Sequence, residues 1–180
     1  MRHPDSAATP ATLPRAAGFR FAIFVSRFNE TVTSALRAGA QAALSEAGAA
    51  EADVETFDVP GAFELPQAAR CAAESGRFDA IVCLGCVIRG ETPHFEYISS
   101  AVAHGVMQAA AETGVPIAFG VLTTDTQVQA DRRAGAGRDN KGFEAAAAAI
   151  EMAVLFRRLV KPRGSAGRSF GFEPSRGQDG

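Results

Sequence analysis

A histidine stands shortly after an apolar stretch of the chain, behind a glycine and a proline. The strand predicted in this stretch ends at Cys86, and the run Arg-Gly-Glu-Thr-Pro-His occupies residues 89–94. Thr92 suits a helix N-cap and Pro93 the first helical position, so the pattern predicts His94 in the first turn of a helix. A neutral imidazole there could both accept and donate a proton, and the unpaired amides of the helix start could bind a phosphate. The alternative is a histidine that merely pairs with nearby backbone groups.

Two more candidate side chains follow the first two apolar segments. Pro60 and Gly61 force a turn, and Pro66 is tolerated if the next helix begins near Glu64. Glu64 could accept hydrogen bonds from substrate hydroxyls, or it could simply stabilise the helix dipole. Phe28 comes directly after the first apolar segment, where its ring could stack on a flat substrate, although such a residue more often belongs to the core.

A short helix with two arginines at its end is a candidate anion site. The run Thr-Asp-Thr-Gln at residues 124–127 offers a capping box for the start of this helix, and Gly135 is placed to end it. Arg132 and Arg133 then lie at the C-terminal end, where cations usually interact only with the dipole. A planar guanidinium could instead bind a phosphate through two hydrogen bonds. Lys141 follows the next glycine loop and is a further candidate, although solvated lysines are the common case.

The elements that must position these residues alternate between strand and helix. Strands are predicted at 19–26, 54–59, 80–86 and 116–122, because these runs are short, apolar and bounded by polar or glycine positions. Helices are predicted at 31–47, 64–75, 94–112, 125–134 and 140–160, where alanine is frequent and apolar residues recur at helical spacing. This alternation predicts an α/β domain with a mostly parallel sheet that has helices on both faces.

A distinctive polar or glycine motif follows each of the four predicted strands. In a parallel sheet the carboxyl ends of the strands share one edge, and ligands bind beyond that edge. Loops after the four strands carry Phe28, Glu64, His94 and the run Thr-Thr-Asp at 123–125. We therefore expect four loops to meet in one crevice.

Composition excludes several classes of protein. The 180 residues are 47% hydrophobic and 21% charged, and the formal net charge is -2, as in an ordinary soluble globular protein. One tyrosine and no tryptophan leave little material for stacking nucleic-acid bases, so a nucleic acid is an unexpected partner. No apolar stretch approaches the length that a membrane span needs, and the N-terminal segment has charges and prolines where a secretory signal needs apolar residues. We expect a cytoplasmic protein without membrane contact.

The three cysteines predict neither a disulfide framework nor a metal site. Cys83 and Cys86 match a C-x-x-C spacing, but they lie in a predicted strand, where residues three apart point to opposite faces. Both are expected to pack in the core, and no further cysteine pair or histidine pair completes a zinc site. Composition also divides the chain into a flexible segment at 1–17, one domain at 18–161 and a disordered tail at 162–180.

Five motifs in order resemble the 6,7-dimethyl-8-ribityllumazine synthase family. They are R-F-N at 27–29, V-P-G-A-F-E at 59–64, G-C-V-I-R-G-E-T-P-H-F-E-Y at 85–97, G-V-L-T-T at 120–124, and R-A-G followed by N-K-G-x-E-A-A-x-x-A-I-E-M within 133–152. The resemblance runs from about residue 18 to about residue 159, and a chance match of five such motifs is very improbable. It implies a three-layer α/β sandwich with a mostly parallel, flavodoxin-like sheet.

The resemblance also implies a reaction and a role for each candidate. The family condenses 5-amino-6-(D-ribitylamino)uracil with 3,4-dihydroxy-2-butanone 4-phosphate to give 6,7-dimethyl-8-ribityllumazine, phosphate and water, without a cofactor. By position, His94 is the implied proton carrier and Arg133 the implied phosphate ligand. The other implied substrate contacts are Phe28 as the stacking ring, Ala62, Phe63 and Glu64 at the ribityl chain and ring, Cys86, Val87 and Ile88 around the pyrimidine, the backbone of Glu91 and Thr92 at the phosphate, Lys141, and Phe119 from a neighbouring subunit.

Oligomerisation is likewise implied by the resemblance. A homo-oligomer is expected, either the pentamer that the family shares or a larger assembly of pentamers. The loop Gly-Ala-Gly-Arg-Asp-Asn at 135–140 departs from the glycine and lysine pattern of shell-forming members, so it does not predict a sixty-subunit shell. Two other classes stay open: a lumazine- or flavin-binding module without turnover, and a structural shell protein with incidental catalysis. The complete set of candidate residues speaks against the first.

Overall fold

Strands and helices alternate along the computed structural model, which describes residues 9–160. Within that range the strands are β1 (Phe21–Ser26), β2 (Val54–Val59), β3 (Ala80–Ile88) and β4 (Ile117–Thr124). The helices are α1 (Glu30–Glu46), α2 (Leu65–Glu74), α3 (His94–Thr113), α4 (Gln127–Arg133) and α5 (Lys141–Val160), with short 3-10 turns at Glu51–Asp53 and Ala62–Glu64. The strands form one parallel sheet in the order β2-β1-β3-β4.

Helices cover both faces of this sheet. The alternate side chains of β1 separate into two clusters, since Phe21 and Ile23 pack with α1 and α5, whereas Ala22 and Phe24 pack with α2 and α3. All six residues of β1 are buried, as a central strand between two helical layers requires. The expected three-layer α/β sandwich with a flavodoxin-like sheet is confirmed.

The strand order fixes where a ligand can enter. The chain passes from β1 to β2 on one side and then crosses to β3 on the other side of β1. The loops after β1 and β3 therefore leave the sheet in opposite directions, and a crevice opens between them. The side chain of Asn29, just after β1, reaches Cys86 of β3 and donates a hydrogen bond of 2.9 Å to its carbonyl oxygen. This bond holds the two walls of the crevice together.

Two strands extend further than the sequence predicted. β3 was expected to end at Cys86, but it continues to Ile88, and β4 continues from the expected end at 122 to Thr124. The extension has a simple cause, because Val87 pairs with Thr123 and Ile88 with Thr124 in the same ladder. Residues 85–88 are therefore strand, and the loop before α3 begins at Arg89. Cys83 and Cys86 belong to the cores on opposite faces of the sheet, which confirms their predicted packing role.

Packing begins before the expected start of the domain. Leu13 and Ala16 are buried in the core that contains α1, and the Ala16 amide donates a 2.8 Å hydrogen bond to the Ala47 carbonyl. The segment expected to be flexible up to residue 17 thus includes packed residues. The rest of that segment, residues 1–8, and the predicted tail at 162–180 lie outside the described residues. Across residues 9–160, no helix combines the length and apolar character needed to cross a membrane.

Candidate active site

His94 is the first residue of α3. The sequence predicted Thr92 as the N-cap and Pro93 as the first helical residue, but the helix begins one position later, with Pro93 as the cap and no side-chain capping bond. Thr92 is therefore not the cap. Its side chain instead lies on the wall of a cavity, together with His94. The start of α3 lines that cavity through His94 and Phe95, and the first amides of a helix have no partner within it, so they are available to an anion or a polar substrate atom.

We call this space cavity one, and its volume is about 340 Å³. Such a volume suits a small organic ligand. It is lined by residues from the ends of β1, β2 and β3 and from the start of α3, namely Phe28, Asn29, Gly61, Ala62, Phe63, Cys86, Val87, Ile88, Gly90, Thr92, His94, Phe95 and Ile98. Seven of the predicted substrate contacts and the predicted proton carrier His94 are among these residues. Phe95 and Ile98 were not among the predicted site residues, although their helical spacing of three could have indicated a shared face.

Two aromatic rings on this wall are exposed to solvent. Phe28 is 71% exposed and Phe63 is 59% exposed, so neither is a core residue. This exposure excludes the core interpretation of Phe28, and the stacking of its ring on a substrate stays a prediction. Its neighbour Asn29 adopts φ 60°, a left-handed conformation that asparagine tolerates better than most residues.

The two predicted carboxylate positions differ in their surroundings. Glu64 is half-buried, and one of its carboxylate oxygens lies 3.1 Å from the point where a side chain on Gly61 would begin. Gly61 lines cavity one, so the Glu64 carboxylate lies beside one of the lining residues, although Glu64 itself is not among them. Glu91 is exposed on the loop between Gly90 and Thr92, and its side chain is not part of the cavity wall.

The buried end of cavity one is chemically inert. Cys86 is 2% exposed, and burial, aided by the negative charge of Asp131, raises the pKa of its thiol to about 11. Burial alone raises the pKa of Cys83 to about 12. Since the thiolate is the reactive form, both side chains act as small apolar groups at neutral pH. Cavity one thus combines an apolar base with a histidine and two exposed rings at its mouth.

Arg89 ties the loop that precedes His94 to the next strand. Its guanidinium donates a 2.7 Å hydrogen bond to Asp125, forms an ion pair with Glu96 and lies 4.3 Å from the centre of the Phe95 ring. The hydrogen bond from Arg89 lowers the pKa of the Glu96 carboxyl. Because these groups are exposed, each pair contributes little to stability alone. Together they orient the first turn of α3.

A second space, cavity two, has a volume of about 420 Å³ and lies along the free edge of β4. It is lined by six consecutive residues of that strand and by α4 and α5: Ala118, Phe119, Gly120, Val121, Leu122, Thr123, Arg133, Lys141, Glu144, Ala145 and Ala148. Arg133 donates one hydrogen bond of 3.2 Å to the Gln129 carbonyl. The Lys141 ammonium pairs with Glu144 at 2.7 Å and is not the solvated lysine of the common case.

The capping box of α4 lies two residues later than predicted. Thr126, and not Thr124, is the N-cap, and its hydroxyl accepts a 3.2 Å hydrogen bond from the Gln129 amide. The Gln129 side chain in turn accepts a 2.9 Å bond from the Asp125 amide. Thr124 is unavailable for this role because it is still in β4. The helix ends at Arg133, as expected, which leaves this arginine beside cavity two.

The expected meeting of four loops in one crevice is not what the structure shows. The loops after β1, β2 and β3 meet in cavity one, but the end of β4 belongs to cavity two. Among residues 9–160, none lines both spaces. His94 on one side and Arg133, Lys141 and Phe119 on the other are therefore apart within one chain. The physical reason is that α3 covers one face of the sheet, whereas α5 covers the other and reaches the open edge.

Comparison with known proteins bears on both cavities. Residues 18–157 match the family model of 6,7-dimethyl-8-ribityllumazine synthase. The chain belongs to this family. A relative from Syntrophus aciditrophicus (strain SB) that carries the same name, 6,7-dimethyl-8-ribityllumazine synthase, is 55% identical over 144 residues, which cover 80% of this chain and 94% of the relative. The resemblance drawn from the five motifs is confirmed.

The range that matches the lumazine synthase family model includes every residue that lines cavity one or cavity two. The family model thus covers the histidine and the two cations in one stretch of sequence. Within residues 9–160, no cluster of three or more His, Cys, Asp or Glu side chains could hold a metal ion.

Proposed function

We propose that this protein is an enzyme of riboflavin biosynthesis that condenses 5-amino-6-(D-ribitylamino)uracil with 3,4-dihydroxy-2-butanone 4-phosphate. The products are 6,7-dimethyl-8-ribityllumazine, phosphate and water. The observation that carries the proposal is the composition of cavity one, in which His94 stands beside two exposed aromatic rings over an apolar base. A flat pyrimidine with a polar side chain and a reaction that moves protons both fit this arrangement.

The pyrimidine fits cavity one better than cavity two. Its ring would stack on Phe28 and lie against Cys86, Val87 and Ile88, which are apolar and mostly buried. The ribityl hydroxyls would donate to the Glu64 carboxylate, near Ala62 and Phe63. Because Cys86 stays protonated at neutral pH, no charge near the ring would compete with its polar edge.

His94 would carry the protons of the reaction. The uracil amine attacks the ketone to form an imine with loss of water, phosphate leaves by elimination, and the ribitylamino nitrogen closes the ring with loss of water. Each step takes a proton from one atom and delivers one to another, which a single imidazole at the cavity mouth can do. One such group supplies roughly 10²- to 10⁴-fold in rate. Positioning the amine against the ketone contributes more, up to about 7 kcal/mol or beyond.

The phosphate of the second substrate requires cations that cavity one lacks. Arg133 and Lys141 supply them, but both line cavity two. We propose that a second copy of the chain places its cavity two against cavity one, so that its Phe119, Arg133 and Lys141 face His94 and the backbone of Glu91 and Thr92. The free edge of β4 and the 43% exposure of Phe119 support such a contact, because exposed aromatic residues at a strand edge are typical of interfaces.

Closed homo-oligomers repeat one contact around an axis, and a contact between two different surfaces of the chain generates a ring. We propose a ring of this kind, a pentamer or an assembly of pentamers. We also propose that the catalytic domain is 18–161 and that the enzyme works in the cytoplasm, where phosphorylated intermediates are retained.

The direct test combines both substrates with the purified protein and follows the absorbance and fluorescence of the lumazine. We expect formation well above the uncatalysed reaction, and a decrease of roughly ten- to a thousandfold in the His94→Ala variant, with nearly unchanged binding of a substrate-like pyrimidine. His104→Ala is the matched control, because His104 is an exposed histidine of the same helix α3 and lines neither cavity. A wild-type protein that binds the pyrimidine but forms no lumazine would mean a binding module. Unchanged turnover in His94→Ala would remove His94 from the mechanism.

A further inference from the structure

The side chain of Asn140 is buried at the junction of three helices. It is 3% exposed, and its amide makes five hydrogen bonds to backbone groups. Its Oδ1 accepts from the amides of Gly142, at 2.7 Å, and Phe143, at 3.3 Å, which are the first free amides of α5. That half of the side chain is an ordinary helix cap.

The other half of the amide does something that a cap does not require. Its Nδ2 donates to the carbonyl oxygens of Ala134 and Gly135, both at 2.9 Å, and of Ala35, at 3.1 Å. Two N–H groups thus serve three acceptors. Ala134 and Gly135 directly follow Arg133 at the end of α4, and Ala35 belongs to α1. A serine or an aspartate can cap a helix, but neither can replace the two N–H donors of an amide.

The neighbouring helix leaves room for this side chain. A Cβ atom on Gly39 of α1 would lie 2.2 Å from the Oδ1 atom of Asn140, so any larger residue there would collide with the amide. A Cβ atom on Gly142 would lie 2.0 Å from the Leu36 carbonyl oxygen. The close approach of α1 and α5 that these two glycines permit brings the Ala35 carbonyl within reach of Asn140.

These bonds join the two candidate phosphate ligands. Arg133 immediately precedes the two carbonyl groups that accept from Asn140, and Lys141 immediately follows Asn140 itself. The seven-residue loop 134–140 between the two helices would otherwise let their ends move independently. Through one side chain, the end of α4 and the start of α5 are fixed to each other and to α1.

We propose that Asn140 is a positioning residue for phosphate binding, which sets the separation of Arg133 and Lys141 through the donor half of its amide. The inference rests on the proposed function, since it concerns the phosphate of the second substrate. A tetrahedral anion that two cations bind together is sensitive to their separation, and a displacement of about 1 Å can cost on the order of 100-fold.

The test uses Asn140→Ser and Asn140→Asp, because both replacements keep an oxygen that can cap α5 and both lose the amide donors. We expect each variant to raise the KM for the butanone phosphate by about tenfold or more, and the KM for the uracil by less than about twofold. Inorganic phosphate should be tested as an inhibitor, and its inhibition constant should rise by the same factor as the KM for the butanone phosphate. Serine is the milder change, so it provides the result if the aspartate variant does not fold.

Thr126→Ala is the matched control. It removes the N-cap of the same helix α4 at its opposite end, and it leaves the junction at Asn140 intact. It should lower the melting temperature without a selective change in either KM. The inference is overturned if the Asn140 variants raise both KM values equally, if they raise neither, or if Thr126→Ala gives the same selective effect. A wild-type protein without lumazine formation would instead contradict the proposed function, which the same assay reports separately.

Discussion

A site shared between two copies of the chain predicts that two damaged proteins can restore each other. His94 lines cavity one and Arg133 lines cavity two, and within one chain these cavities are separate. In the proposed assembly each site takes its histidine from one subunit and its arginine from the next. His94→Ala and Arg133→Ala proteins should each be nearly inactive, because every site in either oligomer lacks one of the two groups.

The recovery can be calculated from this geometry. In an equal mixture that has been unfolded and refolded, a site is intact when its first subunit keeps His94 and the neighbour keeps Arg133. Each condition holds for half of the subunits, so random mixing predicts about one quarter of the wild-type activity. If Arg133 served the site of its own chain, the mixture would contain no intact site.

A double variant provides the reverse experiment. His94→Ala/Arg133→Ala chains mixed equally with wild-type chains should give about one quarter of full activity if the site is shared, but about one half if each chain is complete. Lumazine fluorescence measures the rate, and two different affinity tags on the two proteins establish that mixed oligomers have formed. A mixture that never exceeds the summed activities of the separate variants, despite proven mixed oligomers, would refute the shared site.

Three further predictions follow from the described contacts. Arg133→Lys should weaken the binding of the butanone phosphate far more than the binding of the uracil, because a point charge does not reproduce the planar guanidinium. Titrations in which the variant binds phosphate at full strength would point to Arg132 instead. A thiol reagent at pH 8 should modify the exposed Cys71 and leave Cys83 and Cys86 unmodified. Burial raises the pKa of Cys83 to about 12 and that of Cys86 to about 11, so both stay protonated at this pH. Modification of a second thiol in the native protein would contradict this prediction. Leu65→Ala should lower the free energy of unfolding by about 2–5 kcal/mol in urea titrations, because this fully buried side chain directly follows the turn that carries Glu64. A loss below about 1 kcal/mol would mean that the surroundings of Leu65 are not closely packed.

The two central strands, β1 and β3, could be predicted because burial on both faces makes them nearly continuous apolar runs. β1 and β2 end at the predicted residues, since Ser26 and Val59 are followed at once by a polar or turn-forming residue. β3 and β4 end later than predicted because their last residues support each other in the ladder. Thr123 and Thr124 are polar, but threonine is a good strand former, and hydropathy alone does not reveal that it has a partner opposite.

The helix caps were harder to place than the helices. Thr92 and Thr124 both had suitable residue types, yet neither caps a helix. Thr124 is the last residue of β4, so Thr126 is the N-cap of α4 instead. Thr92 precedes a proline, a position that favours extended backbone, and α3 starts only after that proline. Prediction of a cap from residue type therefore fails where a neighbouring strand or proline already determines the backbone conformation of that residue.

The position of the candidate residues at one edge of the sheet could be predicted, but their division between two cavities could not. Parallel strands fix the edge, whereas the face on which each helix packs depends on crossovers between strands that are distant in sequence. Asn140 shows the same limit. Its type and position indicate a cap for α5, but its bonds to Ala35 and Ala134 depend on how three helices meet.

The division of the site has a chemical consequence that a single-chain cavity would not have. In the proposed reaction phosphate leaves, so the cations proposed to bind it must hold the substrate strongly and then release the product. Arg133 and Lys141 lie at the hydrogen-bonded junction of α4 and α5, whereas His94 lies at the start of α3 and the aromatic rings follow β1 and β2. If these halves belong to different subunits, the distance between proton carrier and phosphate is set by the subunit contact. A small change at that contact would then alter the rate without changing the affinity for either substrate alone, whereas a change within α4 or α5 would alter phosphate affinity first.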